Sequence, residues 1–205
     1  MNISIIIIAV TAIISYMAFN RTELIYRYQF NAWQIIHRKE YYRLITHGFL
    51  HGGWMHLIIN MMVLFSFGRA VLYYFQVITT WPQMLFLFFY LTAIVISSFY
   101  SLSKHRNNYN YNAIGASGAV SAVVFASIVF DPYNPILLFA IIPIPGILFG
   151  ALYLIYSGYM ARKEIDNIGH DAHFWGAVYG LAFPIILQPR LFQYFAGTHR
   201  EWLLQ

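Results

Sequence analysis

The sequence predicts an all-α polytopic membrane protein, a bundle of six transmembrane helices, and three observations predict it. Of its 205 residues 60% are hydrophobic, 20% aromatic and only 9% charged, far from the composition of soluble domains. Apolar runs near the roughly 20 residues that span a bilayer recur six times, at about 2–19, 54–75, 82–100, 114–130, 135–157 and 172–188. A backbone in lipid must satisfy its own hydrogen bonds, so each run is read as a helix. The length fits one domain over 1–205.

The formal charge of +5 is dispersed over loops without a dense basic run. That pattern reads as anchoring at the membrane interface and speaks against nucleic acid as a partner. With no cysteine the chain has no disulfide framework, no thiol nucleophile and no cysteine-liganded metal.

The first run, Asn2 to Phe19, has no basic stretch before it and is read as a spanning helix, not a cleaved signal. The first loop, about 20–53, carries Arg21, Arg27, Arg38, Lys39 and Arg43 among Tyr26, Tyr28, Phe30, Trp33, Tyr41, Tyr42 and Phe49. Snorkelling cations and polar-tipped rings belong in the headgroup zone, which predicts short helices along the membrane surface.

His47, His51, His56 and Asn60 enter the second run. Polar side chains in a lipid-facing helix are costly and turn into the bundle, and His56 and Asn60, four apart, share a helix face. Metal ligation and interhelical hydrogen bonding both remain open for the histidines. Arg69, where the second span leaves the membrane, is read as snorkelling. The third run is assigned to packing alone.

The fourth run opens with Gly115-Ala116-Ser117-Gly118, which puts Ser117 about one turn inside the helix. A serine there often only bonds back to its own backbone. Gly118, Ala122 and Ala126 form a small-residue stripe, and the sixth run offers a complement in His173, Gly176 and Gly180. In a six-span chain the second, fourth and sixth helices run in one direction. His56, Ser117 and His173 then all lie near one membrane face, and this coincidence lifts a catalytic reading above a packing one. In the fifth run Pro143, Pro145 and Gly146 should kink or break the helix.

Taken in order, Glu40-Tyr41-Tyr42-Arg43, His51, His56 with Asn60, Gly115-Ala116-Ser117-Gly118, and Ala172-His173 with Gly176 and Gly180 resemble the patterns of the rhomboid family of intramembrane serine proteases. Each string is weak, but their order on alternate helices over about 40–185 is specific. The resemblance implies an endopeptidase that cuts single-pass membrane proteins in or near their spans. Ser117 would be the nucleophile and His173 the general base, with no acidic third member; Asp171 is given no role. The His56 and Asn60 side chains and the Ser117 backbone amide would form the oxyanion site. Gly115 would admit the substrate backbone, while His51, Arg43, Gly118, Gly176 and Gly180 would shape the site or its approach. No metal or cofactor is implied.

Three departures from the family pattern stand out. Tyr42 replaces a tryptophan before Arg43, and Leu72 replaces a glutamate after Gly68. Ser121 replaces the aromatic residue that stacks on the base, leaving Phe174, Trp175 or Phe125 to take that part. The resemblance also makes the fifth helix and a cap at about 158–171 a gate; the break at Pro143, Pro145 and Gly146 is read either as the source of its mobility or as an ordinary proline kink. Lys and Arg are concentrated on the loops at the Ser117 end, whereas Arg190 and Arg200 lie at the other. The positive-inside rule would make the Ser117 end cytoplasmic; the resemblance points the other way, to a multi-pass protein of a bacterial cytoplasmic membrane with that end outside, and is followed here. The rival readings are a non-catalytic chaperone or dislocase of the same fold and a metal hydrolase using His47, His51, His56 and His170.

Overall fold

The computed structural model describes residues 2–138, 141–163 and 168–195; Arg200 and parts of the expected fifth span and cap (139–140 and 164–167) lie outside the described residues. The architecture is mostly helical. Helix α1 (Ile3–Phe19) is followed by three short helices, α2 (Thr22–Tyr28), α3 (Ala32–His37) and α4 (Arg43–Thr46), and a 3-10 turn at His47–Phe49. Then come α5 (Trp54–Ile78), α6 (Pro82–Ser97), α7 (Phe99–Lys104) and α8 (Ser117–Phe130). A β-hairpin of β1 (Pro135–Leu138) and β2 (Ile142–Pro145) leads into α9 (Gly146–Lys163), α10 (His170–Leu187) and α11 (Arg190–Phe195).

Among the described residues, Trp54–Ile78 and Pro82–Lys104 are long and apolar enough to cross a membrane, and Ile3–Phe19 and Ser117–Phe130 are apolar but shorter. Helix α8 is the axis of the bundle. It carries no charge, and every residue from Gly118 to Phe130 is buried, as expected of a helix apolar on all sides. Phe75, Phe86 and Phe89 of α5 and α6 are fully buried against it. Large apolar side chains such as Met55 and Ile155, both 71% exposed, face outward, the distribution a lipid solvent calls for.

Helices α5, α8 and α10 run in one direction and α1, α6 and α9 in the other. At one end of α1 the Ile3 N–H donates to Gln83 Oε1 at the start of α6; near its other end Ser15 reaches Phe49 and His51. Ser97, ending α6, lies against Gly118, beginning α8, and Gly158 late in α9 lies against Phe174 early in α10.

The first loop folds as short helices, as predicted, and Arg43 ties it down. Its Nε donates to Glu40 Oε2 at 2.6 Å, and its Nη1 donates to the carbonyls of Tyr26 (3.0 Å) and Gln29 (2.8 Å). Tyr42, in the tryptophan's place, sets its ring 5.4 Å from the guanidinium and its hydroxyl 3.2 Å from Glu40 Oε2. Leu72 is buried in the apolar core, so at this position packing stands in place of the family's glutamate.

Three expected boundaries are corrected. The third run breaks at Ser98, with α7 continuing it. The fourth helix begins at Ser117 itself, not a turn earlier, because Gly115 takes a left-handed φ of 130°. The fifth span is broken where its prolines lie: the described residues Pro135–Leu138 and Ile142–Pro145 pair as strands and not as a helix. Proline lacks the N–H an α-helix needs but is tolerated in a two-stranded edge, and here Pro143 faces Leu137 while Pro145 faces Pro135. The fifth helix therefore starts after these residues, at Gly146.

Candidate active site

Helix α8 starts at Ser117, so the Ser117 amide has no partner in the helical ladder and sits at the positive end of the helix. From the parallel α10, His173 Nε2 lies 2.7 Å from Ser117 Oγ. The approach depends on glycine. A Cβ on Gly176 would overlap the Gly118 carbonyl, and one on Gly180 would overlap the Ala122 carbonyl. The two small-residue stripes thus face each other, and the backbones are in contact there.

The third side comes from α5. A Cβ on Gly115 would lie 2.7 Å from His56 Cε1 and 3.0 Å from Nε2, so the imidazole rests on the glycine beside Ser117. Asn60 is buried and lines the same cavity. Its Nδ2 donates to the His56 carbonyl at 2.8 Å, which leaves its second N–H for another acceptor.

His51 backs this wall. The Ala116 N–H donates to its Nε2 at 3.5 Å, which makes Nδ1 the protonated nitrogen, donating to Ser15 Oγ at 2.9 Å; Ser15 donates in turn to the Phe49 carbonyl. The ring stands edge-to-face with His56 at 4.9 Å. Burial, with a smaller contribution from His56, holds the His51 imidazole down at about 3, and burial holds His47 at about 4, so both are neutral. The histidines weighed as metal ligands do not converge: both His51 nitrogens are occupied, and among the described residues no group of three His, Asp or Glu side chains is placed to hold an ion.

Asp171 turns from His173 to Ser101 of α7, with which it shares a short hydrogen bond, and to the Ala172 amide at 2.9 Å. Ser117, His56, Asn60 and His173 open onto a cavity of about 1200 Å³ that continues toward Ser121 and Tyr153.

The sequence reading missed Tyr153. None of the aromatics nominated to stack on His173 does so: Phe174 packs on Gly158 of α9, Trp175 on Tyr100, and Phe125 on Tyr153. A tyrosine ring not nominated, that of Tyr153, lies 6.4 Å from His173 and tilted by 31°. The signal available was Phe149 and Tyr153 at helical spacing on α9, a face read only as part of a gate.

The rhomboid domain family model matches residues 38–190. The chain is 31% identical over 150 residues to RHOMBOID-like protein 12, mitochondrial, of Arabidopsis thaliana, covering 65% of this chain and 43% of the relative. It is 28% identical over 158 residues to Rhomboid-related protein 1 of Caenorhabditis elegans, covering 73% and 41%. The chain thus spans about two fifths of the length of these curated relatives.

Proposed function

This chain belongs to the rhomboid family of membrane proteins, and from that premise we propose that it is an intramembrane serine endopeptidase acting on single-pass membrane proteins. The observation that carries the proposal is the 2.7 Å contact between His173 Nε2 and Ser117 Oγ at the mouth of a cavity. The proposed setting is a six-span bundle of α1, α5, α6, α8, α9 and α10, in a bacterial cytoplasmic membrane with the Ser117 end outward.

In the proposed reaction His173 Nε2 takes the Ser117 hydroxyl proton as Oγ attacks the scissile carbonyl carbon. The carbonyl oxygen becomes an oxyanion, met by the Ser117 amide at the helix start, the His56 ring and the free Asn60 N–H. The carbon–nitrogen bond then breaks and His173 returns its proton to the leaving amine. Water, deprotonated by the same imidazole, releases the acyl group and restores Ser117. A substrate helix must expose its carbonyl to react, so helix-breaking residues near the cut favour cleavage.

The test is labelling of the detergent-solubilised chain by a fluorophosphonate, which phosphonylates an activated serine with loss of fluoride. Labelling of wild type that is lost in both Ser117→Ala and His173→Ala supports the proposal. Wild-type protein that stays unlabelled and leaves a membrane substrate uncut sinks it and favours a non-catalytic member of the same fold.

A further inference from the structure

We propose that Tyr153 of α9 is a positioning residue for His173, held in place by Ser121 of α8; the inference rests on the serine-protease reading above. Four observations meet at this ring. The Ser121 and Tyr153 hydroxyls are 2.6 Å apart, and Ser121, one turn along α8 from Ser117, is buried. The Tyr153 ring lies 6.4 Å from the His173 ring, within the range of favourable aromatic pairs. Phe125 at 5.4 Å and Phe149 at 5.8 Å pack against the same tyrosine. No residue of α8 supplies a ring to the base, since position 121 is a serine.

The arrangement divides one job between two helices. An imidazole that must take a proton from Ser117 needs a fixed ring plane, because misplacement by about 1 Å can cost on the order of a hundredfold in rate. On one side His173 meets His170, edge-to-face at 5.9 Å; toward α9 it meets Tyr153. The tyrosine is fixed at its tip by Ser121 and along its body by Phe125 and Phe149. The orientation of the base therefore depends on α9 standing against α8, so the helix that lines the cavity also aligns the proton acceptor.

The experiment measures fluorophosphonate labelling rates of the full chain in detergent, together with kcat and KM on a membrane substrate. It compares wild type, Tyr153→Leu, Tyr153→Phe, Ser121→Ala and the Ser121→Ala/Tyr153→Phe double variant, with thermal melting as the check of folding. Tyr153→Leu is expected to lose about tenfold in labelling rate and in kcat with KM unchanged. Tyr153→Phe keeps the ring and is expected to stay within about threefold of wild type. Ser121→Ala should match it, and the double variant should be no worse than either single, since both remove one hydrogen bond. A normally melting Tyr153→Leu protein that labels at the wild-type rate overturns the proposal, as do losses that simply add in the double variant; the latter comparison decides the matter even where Tyr153→Leu does not fold. Wild type as inert as Ser117→Ala overturns the protease reading and this inference with it.

Discussion

Gly176 of α10 meets the carbonyl of Gly118 of α8 with no space for a Cβ between them, and this backbone contact sets the separation of Ser117 and His173. The Ser117 and His173 side chains are one residue before Gly118 and three before Gly176, so the helix axes must stay this close for a 2.7 Å approach. Gly180 and Ala122 repeat the contact farther along. Overpacking at such a point costs typically 1–3 kcal/mol, as helices are pushed apart. Gly176→Ala should therefore lower thermal stability and abolish serine labelling. Gly180→Ala should cost similar stability but retain part of the labelling, being a turn farther from Ser117 and His173. Equal labelling in the two variants would mean that helix spacing does not govern the dyad.

The two side-chain donors of the proposed oxyanion site are not equivalent. His56 rests on Gly115 beside Ser117, whereas Asn60 spends one N–H on the His56 carbonyl. Loss of one oxyanion donor costs roughly 10²–10³ in kcat. His56→Ala should fall in that range, Asn60→Ala should fall less, and KM should change little in either. Steady-state cleavage of a membrane substrate measures both, and a larger loss in Asn60→Ala would reverse the assignment.

Legibility followed the physical nature of each signal. The Gly118 and Gly176 stripes were readable because close backbone approach demands small residues at fixed spacing. Arg43 was readable as an anchor, but its acceptors, the Tyr26 and Gln29 carbonyls, were not, since any residue type supplies a carbonyl. The segment before Gly146 was read as part of a helical span because apolar content was counted ahead of its prolines, which instead sit in a two-stranded hairpin. Tyr153 was missed for another reason. Its spacing from Phe149 marks a helix face but not what that face meets; only the packing of α9 on α8 brings the ring to His173.

The buried histidines predict an acid-sensitive fold. Burial holds His51 at about 3 and His47 at about 4, against about 6.5 in an unfolded chain. The folded state thus binds fewer protons than the unfolded state in this window. Stability should be complete above about pH 6.5 and fall as the pH drops toward the folded values, by up to about 1.4 kcal/mol per pH unit for each histidine. Glu40 does not confuse this range. Desolvation raises its pKa, but the hydrogen bond and charge of Arg43 outweigh that and leave it lowered, so its contribution is lost only at more acid pH. Melting followed by tryptophan fluorescence from pH 8 to 4.5 should decline on the acid side, and a His47→Gln/His51→Gln double variant should show a much flatter profile. An unchanged slope in that variant would place the acid sensitivity elsewhere.

Arg43 and Glu40 allow the first loop to be tested apart from the proposed chemistry. The guanidinium is buried, 4% exposed, and serves three acceptors, whereas the Glu40 side chain is 24% exposed and reaches water. A hydrogen bond to a charged group contributes about 1.5–3 kcal/mol, while an ion pair open to solvent contributes about 1 kcal/mol or less. Arg43→Ala strands the Tyr26 and Gln29 carbonyls and should destabilise by several times as much as Glu40→Ala. Arg43→Lys should recover little, because a single ammonium cannot reproduce the planar fork that holds Glu40 on one edge and the carbonyls on the other. Hydrogen exchange over residues 22–49 distinguishes this from a general loss of stability: exchange in the short helices should rise in Arg43→Ala well before α8 is affected. Simultaneous loss of protection in α8 would mean that Arg43 supports the bundle itself and not the loop.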